Sequence, residues 1–196
     1  LAAVHALNIQ QMRNKTARDA APLLTADFRR YTINLAINGS AATYVNQAMK
    51  DAKGRTYLHS TGLAKIDYEN KRGTKSCFSW AFAATHAAGS KDYAAQGLVK
   101  VDLCNPDAPL VVWSKPSFYP CEPMFVPAPD QKSEDDGVVI TPVLDGAART
   151  TYIQVLDAKT MTEIATVNMP FHTPFAIHGN WFSTKKKSTA EKTFKK

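Results

Sequence analysis

The chain has 196 residues, 44% of them hydrophobic, enough to bury a core in one globular domain or slightly more. Its net charge of +7 invites a nucleic-acid reading, but residues 183–196 hold six lysines against Glu191, a net of +5, so residues 1–182 carry only +2. A lysine-rich end is more often a solvated tail than a binding arm, so no nucleic-acid partner is expected. Such a tail could add weak attraction to an anionic membrane surface, where each lysine contributes about 1 kcal/mol.

No apolar run reaches the roughly 18–20 residues that span a bilayer, and Leu1 opens no basic and then apolar leader. Cytoplasmic residence, with at most peripheral membrane contact, is the expectation. Leu1 is not a methionine and the first residues read as helix interior, so the chain is expected to begin inside a longer protein. Cys77, Cys104 and Cys121 are odd in number, widely spaced and without a Cys-x-x-Cys pair, which favours reduced thiols. The sequons at Asn14 and Asn38 carry little weight without a secretory leader.

Leu1, Val4, Leu7 and Met12 share one rough face, which predicts a short amphipathic helix over Leu1–Ala17. From Phe28 to Ile37 the pattern becomes near-alternating and stops at Asn38-Gly39, a strand followed by turn chemistry. Ser40 to Lys53 is alanine-rich and polar and reads as a loop or short helix closed by Lys53-Gly54. Phe78, Trp80 and Phe82 then alternate after Cys77, which places three aromatics on one face of a strand that needs a cover. Short strands are expected at Gly97–Asp102, Leu110–Trp113 and Pro123–Val126. Four more follow in succession, Val138–Leu144, Thr151–Leu156, Ile164–Met169 and Phe175–Phe182, divided by Asp145-Gly146, Asp157-Ala158-Lys159 and Pro170. Strands at this spacing describe an antiparallel meander, and period alone leaves barrel, sandwich and propeller blade open.

No phosphate loop, dinucleotide fingerprint, nucleophile elbow, zincin or EF-hand pattern occurs. Glu134-Asp135-Asp136 precede a strand, but consecutive carboxylates diverge and more often face water than share one ion. His5, His59 and His86 have no partner at metal-binding spacing, and His172 and His178 lie six apart near the last strand. By pattern alone a structural histidine is favoured over a ligand at each of these places.

Four ordered blocks alter that balance. Pro120-Cys121-Glu122-Pro123-Met124-Phe125-Val126-Pro127 is followed by Ser133-Glu134-Asp135-Asp136-Gly137-Val138-Val139, then by Val155-Leu156-Asp157-Ala158-Lys159, then by Ile177-His178-Gly179-Asn180-Trp181. Together they resemble the C-terminal part of the carotenoid cleavage oxygenases. Weaker likeness runs upstream through Phe28-Arg29-Arg30-Tyr31, Ile66-Asp67-Tyr68 and Phe78-Ser79-Trp80-Ala81-Phe82.

The resemblance implies a mainly β fold: C-terminal blades of a seven-bladed β-propeller over residues 1–182, with a short N-terminal helix, a disordered lysine-rich tail over 183–196, and the rest of the propeller elsewhere. It implies Fe(II) held by four histidines from separate blades, of which His178 matches the last, and a carboxylate behind that ligand at Glu122. The implied reaction is oxidative cleavage of a carotenoid or apocarotenoid double bond with O₂. Iron acting as a Lewis acid in a retinoid isomerohydrolase is the alternative within the fold, and a diverged carotenoid- or retinoid-binding member without catalysis is another. On this reading the chain alone is inactive, and Phe78, Trp80 and Phe82 are candidates to line an apolar substrate tunnel, with core packing at least as good an account of them. The sequence departs from the family pattern at Gly62, where a further carboxylate stands four residues before the Ile-Asn-Tyr-like block.

Overall fold

The computed structural model describes residues 14, 16, 28–35, 42–47, 49–55, 57, 62–84, 96–174 and 178–182. The expected N-terminal helix, apart from Asn14 and Thr16, lies outside them, as do His5, His59, His86 and the lysine-rich tail.

The described chain is mainly β, its strands arranged in three antiparallel sheets. In the smallest, β1 (Arg29–Thr32) pairs with β2 (Thr43–Asn46). β1 is shorter than the alternation promised. β2 falls in the segment read as loop or short helix, where Thr43, Tyr44 and Val45 supply β-branched and aromatic residues that outweigh the surrounding alanines.

The second sheet is a four-stranded meander of β3 (Gly62–Lys65), β4 (Phe78–Ala84), β5 (Gln96–Asp102) and β6 (Val111–Trp113). One helical turn, α1 (Tyr68–Lys71), joins β3 to β4 and is capped by Asp67, whose side chain accepts from the Asn70 N–H at 3.2 Å. The third sheet takes β7 (Phe118–Pro120), β8 (Met124–Pro127), β9 (Gly137–Asp145), β10 (Thr150–Asp157) and β11 (Glu163–Asn168). Its order is β11-β10-β9-β7, with β8 also on β9. The last expected strand is not seen: residues 178–182 carry no strand, and 175–177 are outside the described set.

The two larger sheets pack face to face. Trp80, Leu98 and Trp113 from the meander meet Phe125, Val139, Val143, Tyr152 and Leu156 from the third sheet in one buried cluster. The cover that the alternating aromatics needed is Phe125, whose ring stacks on Trp80 with centroids 4.2 Å apart. The Trp80 indole N–H donates to the Ala158 carbonyl at 2.9 Å, which satisfies the polar end of a ring with no exposed surface. On the other face of the meander, Ala81, Ala83, Val99 and Val101 bury against Tyr57 and Leu110. The meander is therefore covered on both sides, and its strands read as long apolar runs because of it.

Two expectations are corrected. The Glu134-Asp135-Asp136 cluster does not simply face water. Glu134 accepts from Ser76 Oγ, Cys77 N–H and Phe78 N–H at 2.6, 2.8 and 2.9 Å. Asp135 is buried on Lys100, and Asp136 accepts from the Lys132 N–H. The three carboxylates diverge as consecutive side chains must, but two turn into the sheet packing. Likewise Cys77 and Cys104 are not reduced thiols: they form a disulfide, because pairing of β4 with β5 brings their Cα atoms to 4.9 Å. Cys121 is buried and outside this bond.

Candidate metal centre

Glu122 sits where a long strand breaks. β7 and β8 lie along the same edge of β9, with Pro120 opposite Val143 and Met124 opposite Ile140. Three residues, 121–123, therefore face two, 141–142, on the partner strand. This is a β-bulge, a device that re-aims a side chain. Pro123 has no N–H to give to the ladder, and the buried Thr141 hydroxyl donates to the Cys121 carbonyl at 3.1 Å to close the gap. The bulge releases Glu122 from the alternation of its strand and lets its carboxylate serve groups outside the sheet.

Three groups converge on that carboxylate, whose side chain is 6% exposed. The Gly179 N–H donates to Oε2 at 3.0 Å. Lys65 Nζ lies 3.1 Å from Oε1. His178 Nδ1 lies 3.5 Å from the same Oε1. Burial pushes the Glu122 carboxyl up, but the Gly179 N–H and then the Lys65 ammonium outweigh it, so the group titrates below the ordinary glutamate range.

Lys65 reaches the site through a second bulge. Gly62 pairs with Phe82 and Lys65 with Trp80, so Leu63 and Ala64 together face Ala81, and Leu63 takes φ 55°. Gly62 itself starts β3 and brings no side chain to the site, whereas Lys65, three residues on, does. Pattern reasoning passed over Lys65. The signal available was a lysine at the end of a four-residue strand, three residues after Gly62.

The imidazole of His178 is 74% exposed in this chain. With Nδ1 turned to Glu122, Nε2 is the nitrogen left for a metal. That arrangement fits Fe(II): a neutral imidazole as ligand, with a carboxylate to fix its tautomer and aim. Among the described residues no group of three or more His, Cys, Asp or Glu side chains could hold an ion. His172 is exposed and takes no part in the Glu122 cluster. Beside the cluster is a cavity of 130 Å³ lined by Lys65, Tyr68, Met124, Phe125, Asn180 and Trp181 among others.

Of the three aromatic tunnel candidates, Trp80 is fully buried in the core between the sheets. Phe78 packs on the same cluster and lies under the Lys100 ammonium, 4.2 Å from its ring centroid. Phe82 is half-buried. Packing accounts for Trp80 and Phe78 as they stand here.

A family model described as retinal pigment epithelial membrane protein, RPE65, matches residues 2–183. The chain belongs to this family, that of the carotenoid cleavage oxygenases and RPE65. A mitochondrial carotenoid-cleaving dioxygenase of Homo sapiens is 33% identical over 159 residues, 74% of this chain and 26% of that protein. A carotenoid isomerooxygenase of Drosophila melanogaster is 44% identical over 92 residues, 44% of this chain and 14% of its own length. A substituted Synechocystis apocarotenoid oxygenase superposes with a TM-score of 0.64, covering 81% of this chain and 30% of its own at 24% identity. The cobalt-substituted form of that oxygenase gives the same TM-score and coverage. At that identity the structural likeness is one of fold. The chain spans less than a third of the length of each of these relatives.

Proposed function

We propose that the full-length protein is a non-haem Fe(II) dioxygenase that splits a carbon-carbon double bond of a carotenoid or apocarotenoid. One O₂ supplies the two oxygens of two carbonyl products. On this reading the two larger sheets are neighbouring blades of a β-propeller, with the metal on its axis. The observation that carries it is the buried Glu122 carboxylate, freed from its strand by a bulge and set between the Gly179 N–H and His178 Nδ1.

Each residue has a stated task. His178 offers one neutral nitrogen lone pair. Glu122 accepts toward Nδ1 and so keeps that lone pair on the other nitrogen. The Gly179 N–H pins the far oxygen of Glu122, which stops the carboxylate from rotating away. Iron bound with open positions would supply the place where O₂ and an apolar polyene meet without a haem. The remaining ligands come from outside the described residues.

The test is product analysis on the full-length protein with isotopically labelled O₂, together with its iron content. Label in both carbonyl fragments, and stoichiometric iron that is lost on His178→Ala, are the expected results. Unlabelled products would favour the isomerohydrolase reading. A full-length protein that binds a carotenoid or retinoid but holds no iron would favour a binding member instead, a reading that Gly62 in place of a carboxylate supports.

A further inference from the structure

We propose that Lys65 is the counter-ion of Glu122 when no metal is bound: it offsets the buried carboxylate, and so stabilises the metal-free form and weakens metal binding. This rests on the metal reading above and adds a residue that sets affinity without touching the metal.

The argument begins with competition for one oxygen. Lys65 Nζ is 3.1 Å from Glu122 Oε1, closer than His178 Nδ1 at 3.5 Å. The ammonium is the only full positive charge paired with this carboxylate among the described residues, and the Glu122 side chain is 6% exposed. A carboxylate that deep is costly unless paired. The Gly179 N–H at Oε2 offsets part of that cost, and the ammonium offsets more.

A divalent ion on His178 changes the balance. It places positive charge behind the imidazole, and the Nδ1–H then becomes a stronger donor toward Oε1. Glu122 is compensated by the liganded ring, and Lys65 becomes redundant or repulsive. A group that favours the empty form over the loaded form lowers affinity by the ratio of the two effects. The bulge in β3 is what delivers this charge: with Leu63 and Ala64 facing Ala81 alone, Lys65 comes into register opposite Trp80 and into reach of Glu122. Where the family pattern places a carboxylate four residues before Ile66, this strand presents Gly62 and then a cation, so the surroundings of the metal lose negative charge twice over.

The test uses the full-length protein and Co(II) as the probe, with affinity read by chelator competition and the thermal midpoint measured with and without Co(II). Lys65→Met is expected to bind Co(II) roughly tenfold more tightly, the scale on which groups behind a ligand act on affinity. Its metal-free midpoint should fall while its Co(II)-saturated midpoint stays near that of the unsubstituted protein. Lys65→Arg, which keeps the charge, should restore the original affinity. If Lys65→Met does not fold without metal, rescue by Co(II) supports the proposal, and Lys65→Gln supplies the affinity. A folded Lys65→Met that binds Co(II) equally or more weakly overturns the proposal and leaves the metal reading intact. Failure of the unsubstituted protein to bind Co(II) at all overturns both.

Discussion

Lys100 and Asp135 each expose 8% of their side chains and meet at 2.6 Å, with the Lys159 carbonyl taking a second proton of the ammonium at 3.2 Å. A buried pair of this kind costs more to break than to omit. Lys100→Met in the full-length protein is expected to lower stability by about 3–5 kcal/mol, and Lys100→Met with Asp135→Leu by less than the single change, as read by denaturant unfolding. Glu134 gives a pH signature. Burial raises its carboxyl, but bonds from Ser76, Phe78 and Cys77 outweigh it, so it lies below the ordinary value of 4.5. A folded value below the unfolded one contributes stability that is full above about pH 4.5 and is lost as pH falls through the folded value. Asp135 is lowered in the same direction, burial again opposed chiefly by the bond from Lys100. The thermal midpoint should therefore drop steeply on acidification below that range, and Glu134→Gln should make the drop shallower. The disulfide between Cys77 and Cys104 closes the same corner, beside the Ser76, Cys77 and Phe78 groups that Glu134 holds.

At the scale of elements, the bulges position the site, and Gly137, opposite Pro127, sets how closely β8 approaches β9. A Cβ at Gly137 would collide with the Val126 carbonyl oxygen and lie 3.0 Å from the Phe125 ring. Gly137→Ala should push β8 off β9 and lower stability by about 1–3 kcal/mol, the cost of overpacking, and it should disturb Glu122 in the bulge that precedes β8 as well. A fall in metal content beyond that expected from unfolding is the check. Strands β9 and β10 were legible because turn chemistry at Asp145-Gly146 and an alternating pattern agree. The Asp145 carboxylate accepts from the Ala147 and Ala148 N–H groups, which is the turn that pattern announces. β7 was not legible, since Phe118-Tyr119-Pro120 is three residues ending in proline and gains its place only by pairing with residues 143–145. β2 and β3 were missed for their composition: β2 lies among alanines and polar residues, and β3, Gly-Leu-Ala-Lys, has no β-branched or aromatic residue. The site was half legible. Glu122 and His178 were found through the ordered blocks around them, and nothing in their spacing, 56 residues apart, joins them. Lys65 was hidden because its reach depends on a bulge, and a bulge leaves no trace in an alternating pattern.

On the scale of the molecule, the described chain presents surfaces that ask for cover. Among the described residues β11 pairs on one edge only, and all six of its residues are exposed, with Ile164 and Val167 at 56% and 54%. The β1–β2 pair is exposed along its whole length, with Tyr31 and Tyr44 in ring contact on one face. Open strand edges flanked by apolar residues favour association. The 196-residue chain prepared by itself is expected to self-associate and to melt without a sharp cooperative transition, as judged by light scattering and calorimetry. A monomer with one sharp transition would show that these faces need no partner. β9 is the opposite case, bonded to β10 along one side and to β7 and β8 along the other, all within residues 118–157. Contacts so close in sequence form early and open last. The amides of β9 should thus be the slowest in the chain to exchange with deuterium, and the carboxylate of Glu122 takes its place with them. Lys65 and His178 arrive from segments outside that unit. The site can therefore come apart by undocking, losing its cation and its imidazole in turn, while the sheet that carries its anion stays folded.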